Sequence, residues 1–233
     1  MTARTPLIAG NWKMHGRADW AGRAGALAGA VEADVELLLC PPFPYIAALA
    51  GQGVAVGGQD CHTEVSGAHT GEVAAEMLAD VGATYCIVGH SERRAAGETD
   101  AEAKAKAEAC HRAGIVPIVC VGEQLEHREA GSQVDVVMGQ LDGSLPGTVG
   151  EYVVAYEPVW AIGTGKVATP DDIATMHTAI RDRVGEGVRI LYGGSVKPAN
   201  AADVLGTANV DGALVGGASL EVESFAAIAN ASP

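Results

Sequence analysis

Eight short apolar runs, rich in β-branched and aromatic residues, punctuate this 233-residue chain at residues 7–9, 36–39, 54–56, 85–88, 116–121, 152–156, 188–192 and 213–215. Runs of that length, apolar in succession, suit strands buried on both faces, the pattern of a parallel sheet. The stretches between them are alanine-rich and helical in character. Residues 100–114 open on Asp100 as a capping residue, run through strong helix formers and stop at Gly114. Thr169 begins another predicted helix, with Pro170 in its first turn and Asp171 and Asp172 at the positive end of its dipole. Eight such strand-and-helix units predict an α/β fold closed into a (β/α)8 barrel, with residues 1–233 as a single domain. A doubly wound open sheet would instead show a G-x-G-x-x-G turn after its first strand, where this chain has Gly10-Asn-Trp-Lys-Met14.

Composition narrows the partners. At 48% hydrophobic residues the chain can bury a large core, while a net charge of −14 argues against nucleic acid or an anionic membrane. An anionic substrate would need a locally positive pocket. No stretch approaches the roughly 20 apolar residues of a membrane span, and the first residues lack a signal-peptide core, so a cytoplasmic protein is expected. Cys40, Cys61, Cys86, Cys110 and Cys120 are scattered without C-x-x-C spacing. They read as reduced thiols, with Cys40, Cys86 and Cys120 packed as small apolar residues and no metal expected.

In such a barrel, chemistry is built on the loops that follow the strands. Glu157 ends the run 152–156; Pro158 holds it extended, and Gly163 and Gly165 follow in a segment able to act as a flap. Read alone, it is as readily an ion-paired strand end as a catalytic base. Lys13 follows the first run and would bring positive charge to the mouth, although most lysines are simply solvated. Asn11 beside it is equally a common turn residue. His90 leads into what reads as a helix start at Ser91, where the dipole disfavours a charged imidazole; the alternative is a histidine satisfied in the barrel rim. Glu92 and Arg93 read as a supporting ion pair or cap. Gly193-Gly-Ser195 and Gly216-Gly217 follow the last two runs, where bare amides can cradle a phosphate, or where two tight turns simply lie. Together these groups suit proton transfer beside a carbonyl on a small phosphorylated substrate, without a cofactor.

The segment Y-E-P-V-W-A-I-G-T-G-K at 156–166 closely resembles the active-site lid of triosephosphate isomerase. The similarity continues through A-G-N-W-K-M at 9–14, G-A-H-T-G-E at 67–72, V-G-H-S-E-R-R at 88–94, C-V-G-E at 120–123, Y-G-G-S-V at 192–196 and D-G-A-L-V-G-G-A-S-L at 211–220. It implies a TIM barrel that interconverts dihydroxyacetone phosphate and D-glyceraldehyde 3-phosphate through an enediol(ate), in glycolysis and gluconeogenesis. By the same resemblance Glu157 moves the proton, His90 polarises the carbonyl, Lys13 supplies electrostatic stabilisation and Asn11 helps to place the substrate. Gly163, Ser195, Gly216 and Gly217 match the family's phosphate-binding positions. The resemblance further implies a homodimer in which the loop 66–72 docks beside the other active site, so that Thr70 braces Asn11 and Lys13 of the partner subunit.

The chain departs from the family's usual pattern at His15 and His69, and segments after Arg94, around 131–150 and at 184–188 look trimmed. None of these removes a catalytic position. A sugar-phosphate epimerase on a related barrel would show inward metal-ligand histidines and acids, which this sequence lacks. A non-catalytic descendant would have lost Lys13, His90 or Glu157, and all three remain.

Overall fold

The computed structural model describes residues 4–162 and 167–233. Its strands are β1 (Leu7–Asn11), β2 (Glu36–Cys40), β3 (Ala55–Gly58), β4 (Tyr85–Val88), β5 (Val116–Val121), β6 (Val153–Tyr156), β7 (Arg189–Tyr192) and β8 (Gly212–Val215). Every neighbouring pair is parallel and β8 returns to β1, with Leu7 opposite both Glu36 and Gly212 in the register, so the sheet is a closed barrel. The helices outside it are α1 (Arg23–Ala30), α2 (Ile46–Leu49), α3 (Ala75–Asp80), α4 (Ser91–Ala95), α5 (Asp100–Arg112), α6 (Leu125–Glu129), α7 (Gln133–Ser144), α8 (Pro170–Val184), α9 (Ala201–Leu205) and α10 (Val222–Ala229). Among the described residues, no helix is long and apolar enough to cross a membrane.

Closure explains why the runs are apolar without a break. Alternate strand residues point to opposite faces, and the two sets form separate buried clusters. Leu7, Ala9, Leu38, Ile87, Ile118 and Val153 belong to the cluster inside the barrel. Ile8, Leu37, Leu39, Val88, Val119 and Val154 belong to the other, packed with helix residues such as Leu27, Leu78, Leu141 and Phe225. The exceptions lie at the amino-terminal end of the interior. There Arg189 donates to Glu36 at 2.5 Å and to the Tyr85 hydroxyl at 2.8 Å, and that hydroxyl donates to Glu36 at 2.7 Å. A buried arginine inside an apolar run is tolerated because its donors find partners. At the opposite end, Asn11 and Glu157 continue the interior parity of Leu7–Ala9 and Val153–Ala155 past the apolar layer.

Two local expectations are revised. Thr99, not Asp100, caps α5: its hydroxyl accepts the Glu102 N–H at 3.2 Å and Glu102 accepts the Thr99 N–H at 2.8 Å. That reciprocal pair satisfies two otherwise unpaired donors. Asp100 is thereby released to pair with Arg94 and to accept from Ser144 at 3.0 Å. The strand β1 also extends through Asn11, because Asn11 stays in register with Cys40. Thr169 caps α8 as predicted, in a second reciprocal box with Asp172.

Backbone packing at the mouth is tight where β5 meets β6. A Cβ on Gly122 would overlap the Glu157 carbonyl oxygen, whereas one on Gly139, inside α7, would meet nothing within 4 Å. Gly122→Ala is therefore expected to cost about 1–3 kcal/mol through overpacking. Gly139→Ala is expected to gain up to about 1 kcal/mol from helix propensity. Denaturant unfolding of both variants checks the opposite signs; a Gly122→Ala protein as stable as the parent would contradict the close approach.

Candidate active site

Lys13 leaves β1 in a conformation that side chains seldom adopt, with φ at +50°. Such a backbone costs about 1–3 kcal/mol and persists only where neighbours hold it. Here they do. The Asn11 carboxamide oxygen accepts the Lys13 N–H at 2.9 Å, and Gln59 donates to the carbonyls of Lys13 and Cys40, both at 2.8 Å. The turn aims the side chain across the mouth, where its ammonium meets Glu92 at 2.6 Å. Glu92 thus supports Lys13 and does not pair with Arg93, which binds Asp60 at 2.8 Å and Glu98 at 3.3 Å. Charge complementarity across loops decides this: neighbours at successive positions of a short helix do not face one another.

His90 is the residue that caps α4. Its Nδ1 accepts the backbone N–H of Glu92 at 3.2 Å, which leaves the ring proton on Nε2. That Nε2 donates to Glu157 Oε1 at 3.0 Å. Ser91 completes the arrangement, its N–H donating to Glu157 Oε2 at 2.9 Å and its hydroxyl to Oε1 at 3.0 Å. Glu157 is only 2% exposed. Burial pushes its carboxyl pKa upward, but the hydrogen bonds donated by His90 and by the Ser91 N–H and hydroxyl outweigh it, and the net shift is downward. The carboxylate is held ionised in an apolar frame, a condition a proton acceptor needs.

The segment after Glu157 hangs on a second buried acid. Glu123 is fully buried, and its Oε1 accepts from the Trp160 indole at 2.7 Å, from the Tyr156 hydroxyl at 3.1 Å and from Arg128 at 3.4 Å. Its carbonyl also accepts the Val159 N–H at 3.2 Å. Arg128 stacks over the Trp160 ring at 4.7 Å and pairs with Asp172. The cluster ties the strand that carries Glu157 to the first residues beyond it.

These groups surround a cavity of about 310 Å³, lined among others by Lys13, His90, Glu157, Ser195, Gly216 and Gly217. Gly193 also lines it, and a Cβ there would stand 2.9 Å from Glu157 Cγ, so the loop after β7 packs on Glu157 itself. Sequence reasoning thus picked out Asn11, Lys13, His90, Glu157, Ser195, Gly216 and Gly217, and folding brings them together in one mouth. Gly163, and with it Lys166 of the predicted flap, lies outside the described residues. Thr70 is exposed on the loop after β3, where His69 stacks on His62 with ring centroids 4.0 Å apart. A neighbouring groove of about 360 Å³, bounded by Lys13, Gln59, Glu72 and Glu92, runs beside that loop. Ser91, Glu123 and Gln59 were not singled out as site residues. Ser91 and Glu123 do lie one residue after quoted strand-end positions, but Gln59 carries no such signal.

Comparison with known proteins gives one family over nearly the whole chain. A family model described as triosephosphate isomerase matches residues 6–232. A triosephosphate isomerase of Afipia carboxidovorans is 58% identical, the match covering 98% of each chain, and one of Bradyrhizobium diazoefficiens is 54% identical at the same coverage. The crystal structure of triosephosphate isomerase from Bartonella henselae superposes with a TM-score of 0.90 at 42% identity, over 98% of this chain and 99% of that one.

Ser91→Ala removes the hydroxyl donor and leaves the backbone donor, so the Glu157 pKa is expected to rise. A depressed carboxyl stabilises the fold at pH values above its unfolded pKa, and that stabilisation is lost as pH falls through the folded value. The variant is accordingly expected to lose about 1.5–3 kcal/mol at pH 7, with a smaller deficit in acid. Carbon-13 titration of the Glu157 carboxyl checks the shift, and an unchanged curve would remove Ser91 from the site.

Proposed function

This chain belongs to the triosephosphate isomerase family, and from that premise we infer which of its residues carry the reaction. The activity is the interconversion of dihydroxyacetone phosphate and D-glyceraldehyde 3-phosphate, an aldose–ketose isomerisation within glycolysis. A proton must leave one carbon and arrive on its neighbour, and a second must pass from the hydroxyl oxygen to the former carbonyl oxygen, which carries negative charge in between. One acceptor at the carbons, one group that gives and takes a proton at the oxygens and one fixed cation suffice. Glu157 is the acceptor, taking the proton from the first carbon and returning it to the second. His90 first hydrogen-bonds the developing oxyanion through Nε2, then gives it that proton and takes the proton of the neighbouring hydroxyl in exchange. Lys13 exchanges its contact with Glu92 for the substrate's negative charge, and Asn11 holds the turn that aims it. Ser195, Gly216 and Gly217 receive the phosphate, together with Gly163, and no cofactor takes part because the same carboxylate serves both carbons.

The observation that carries this reading is the 3.0 Å contact between His90 Nε2 and Glu157 Oε1 at the wall of the cavity that Lys13 also lines. Acid, base and cation meet there within reach of one small substrate. Glu157 is expected to turn from Ser91 toward the substrate carbons when the cavity fills, and the donors it leaves behind then favour its return.

We read residues 1–233 as one folding unit that works as a cytoplasmic homodimer. The loop 66–72 is exposed, Met14 is 94% exposed and Val65 51%, and the groove beside Lys13 is open to receive such a loop. Thr70 of that loop would brace the strained Lys13 turn, with His15 and His69 near the same contact.

Glu157→Gln is expected to keep the fold and lose about 10²–10⁴ in kcat, the usual worth of a positioned base; turnover at the parent rate would dismiss Glu157 from that role. Thr70→Arg is expected to give monomers in light scattering, with kcat well below the parent's. A monomer of full activity would show that dimerisation does not hold Lys13 in place.

A further inference from the structure

Cys61, Cys86 and Cys110 stand 25 and 24 positions apart in the chain and share no motif. The fold nevertheless brings them together from three elements: Cys61 from the loop after β3, Cys86 from the helix-facing side of β4, and Cys110 from the buried stripe of α5 that also holds Ala103 and Ala107. All three thiols are free and buried, and their sulfurs lie within 4.8 Å of one another, with Cys61 Sγ and Cys110 Sγ 3.7 Å apart. Cys86 and Cys110 are wholly shielded from solvent, and Cys61 is 2% exposed.

We propose that these three cysteines form a trigonal, all-sulfur site for a soft monovalent cation, Cu(I) in particular. Metal-to-thiolate bonds of about 2.3 Å place three sulfurs in a trigonal plane about 4 Å apart. The present cluster therefore needs only sub-ångström contraction to close on an ion. An all-thiolate donor set selects Cu(I) and Zn(II) over Mg(II) or Ca(II). The coordination number separates the first two. Zn(II) takes a fourth ligand to complete a tetrahedron, and among the described residues no fourth His, Cys, Asp or Glu joins the three thiols. Cu(I) is satisfied by three. Ligation exchanges thiol protons for the cation and releases them to solvent. Entry is from the groove of about 360 Å³ beside Lys13, because Cys61 lines its wall. The ion would clamp α5 to β4 and to the loop after β3.

The full-length protein, reduced and freed of added thiol under anaerobic conditions, is titrated with the Cu(I)–bicinchoninate complex. One equivalent of Cu(I) per chain is expected to pass to the protein. Cys61→Ala, Cys86→Ala and Cys110→Ala are each expected to abolish that equivalent, while the double variant Cys40→Ala/Cys120→Ala retains it. X-ray absorption at the copper edge of the loaded parent protein gives a reading independent of variant folding, expected to show three sulfur neighbours and no nitrogen or oxygen. Failure of the parent to withdraw copper, retention of the equivalent in Cys61→Ala, a nitrogen or oxygen ligand in the spectrum, or Zn(II) displacing Cu(I) at equal concentration would each overturn the site.

Discussion

Pairing of β8 with β1 closes the sheet, and where a polar side chain can stand in this protein follows from that closure. The inside of the ring is shielded from solvent, so interior positions in the middle of the strands are held by apolar residues such as Ile87, Ile118 and Val153, each 0% exposed. Charged groups survive in the interior only at its two ends. At the amino-terminal end Arg189, Glu36 and Tyr85 bond one another, and Arg189 also pairs with Glu151 at 2.9 Å. At the carboxyl end the polar groups are also paired, but with partners they can exchange. That difference separates a structural plug from a site able to do chemistry.

Glu157 and Lys13, the groups proposed to react at the mouth, are each stabilised by contacts that a substrate could replace. Glu157 has Ser91 and His90, and Lys13 has Glu92. An unpaired carboxylate at this depth would cost several kcal/mol in desolvation. The resting contacts therefore keep the site folded and ionised without locking it, since an incoming oxyanion or phosphate offers Lys13 a comparable partner. Around them sit groups with no such freedom. Glu123 gathers Tyr156, Trp160 and Arg128, and the Lys13 turn is pinned by Asn11 and Gln59. A rigid frame with exchangeable inner contacts is what positioned proton transfer requires.

The same topology has a consequence away from the mouth. Helix-facing residues of β4 and the inner stripe of α5 are as dry as the barrel interior, and Cys86 and Cys110 meet there with Cys61. Small thiols pack such a layer well. Three of them converging on one point also present a donor set that no single stretch of sequence reveals.

Much of the architecture was legible in the sequence because it is written in local terms. Uninterrupted apolar runs report strands dry on both faces, and Thr169-Pro-Asp-Asp reports a helix start through hydrogen bonds that span three residues. Asn11, Lys13, His90 and Glu157 were legible as well, since strand ends are where a barrel must place its polar groups. What stayed hidden depended on contacts between distant positions. Ser91 reaches Glu157 across 66 residues, Glu123 reaches Trp160 across 37, and Gln59 reaches Lys13 across 46. The cap on α5 is different: Thr99 and Glu102 stand at the three-residue spacing of a capping box, so that signal was local and Asp100 beside it was the wrong choice. Periodicity and capping chemistry by themselves determined which residues form the barrel and which stand at its mouth. Which of those polar groups touch, and which thiols meet behind the sheet, only the tertiary structure decided, because closure of the ring sets those distances and no local pattern records them.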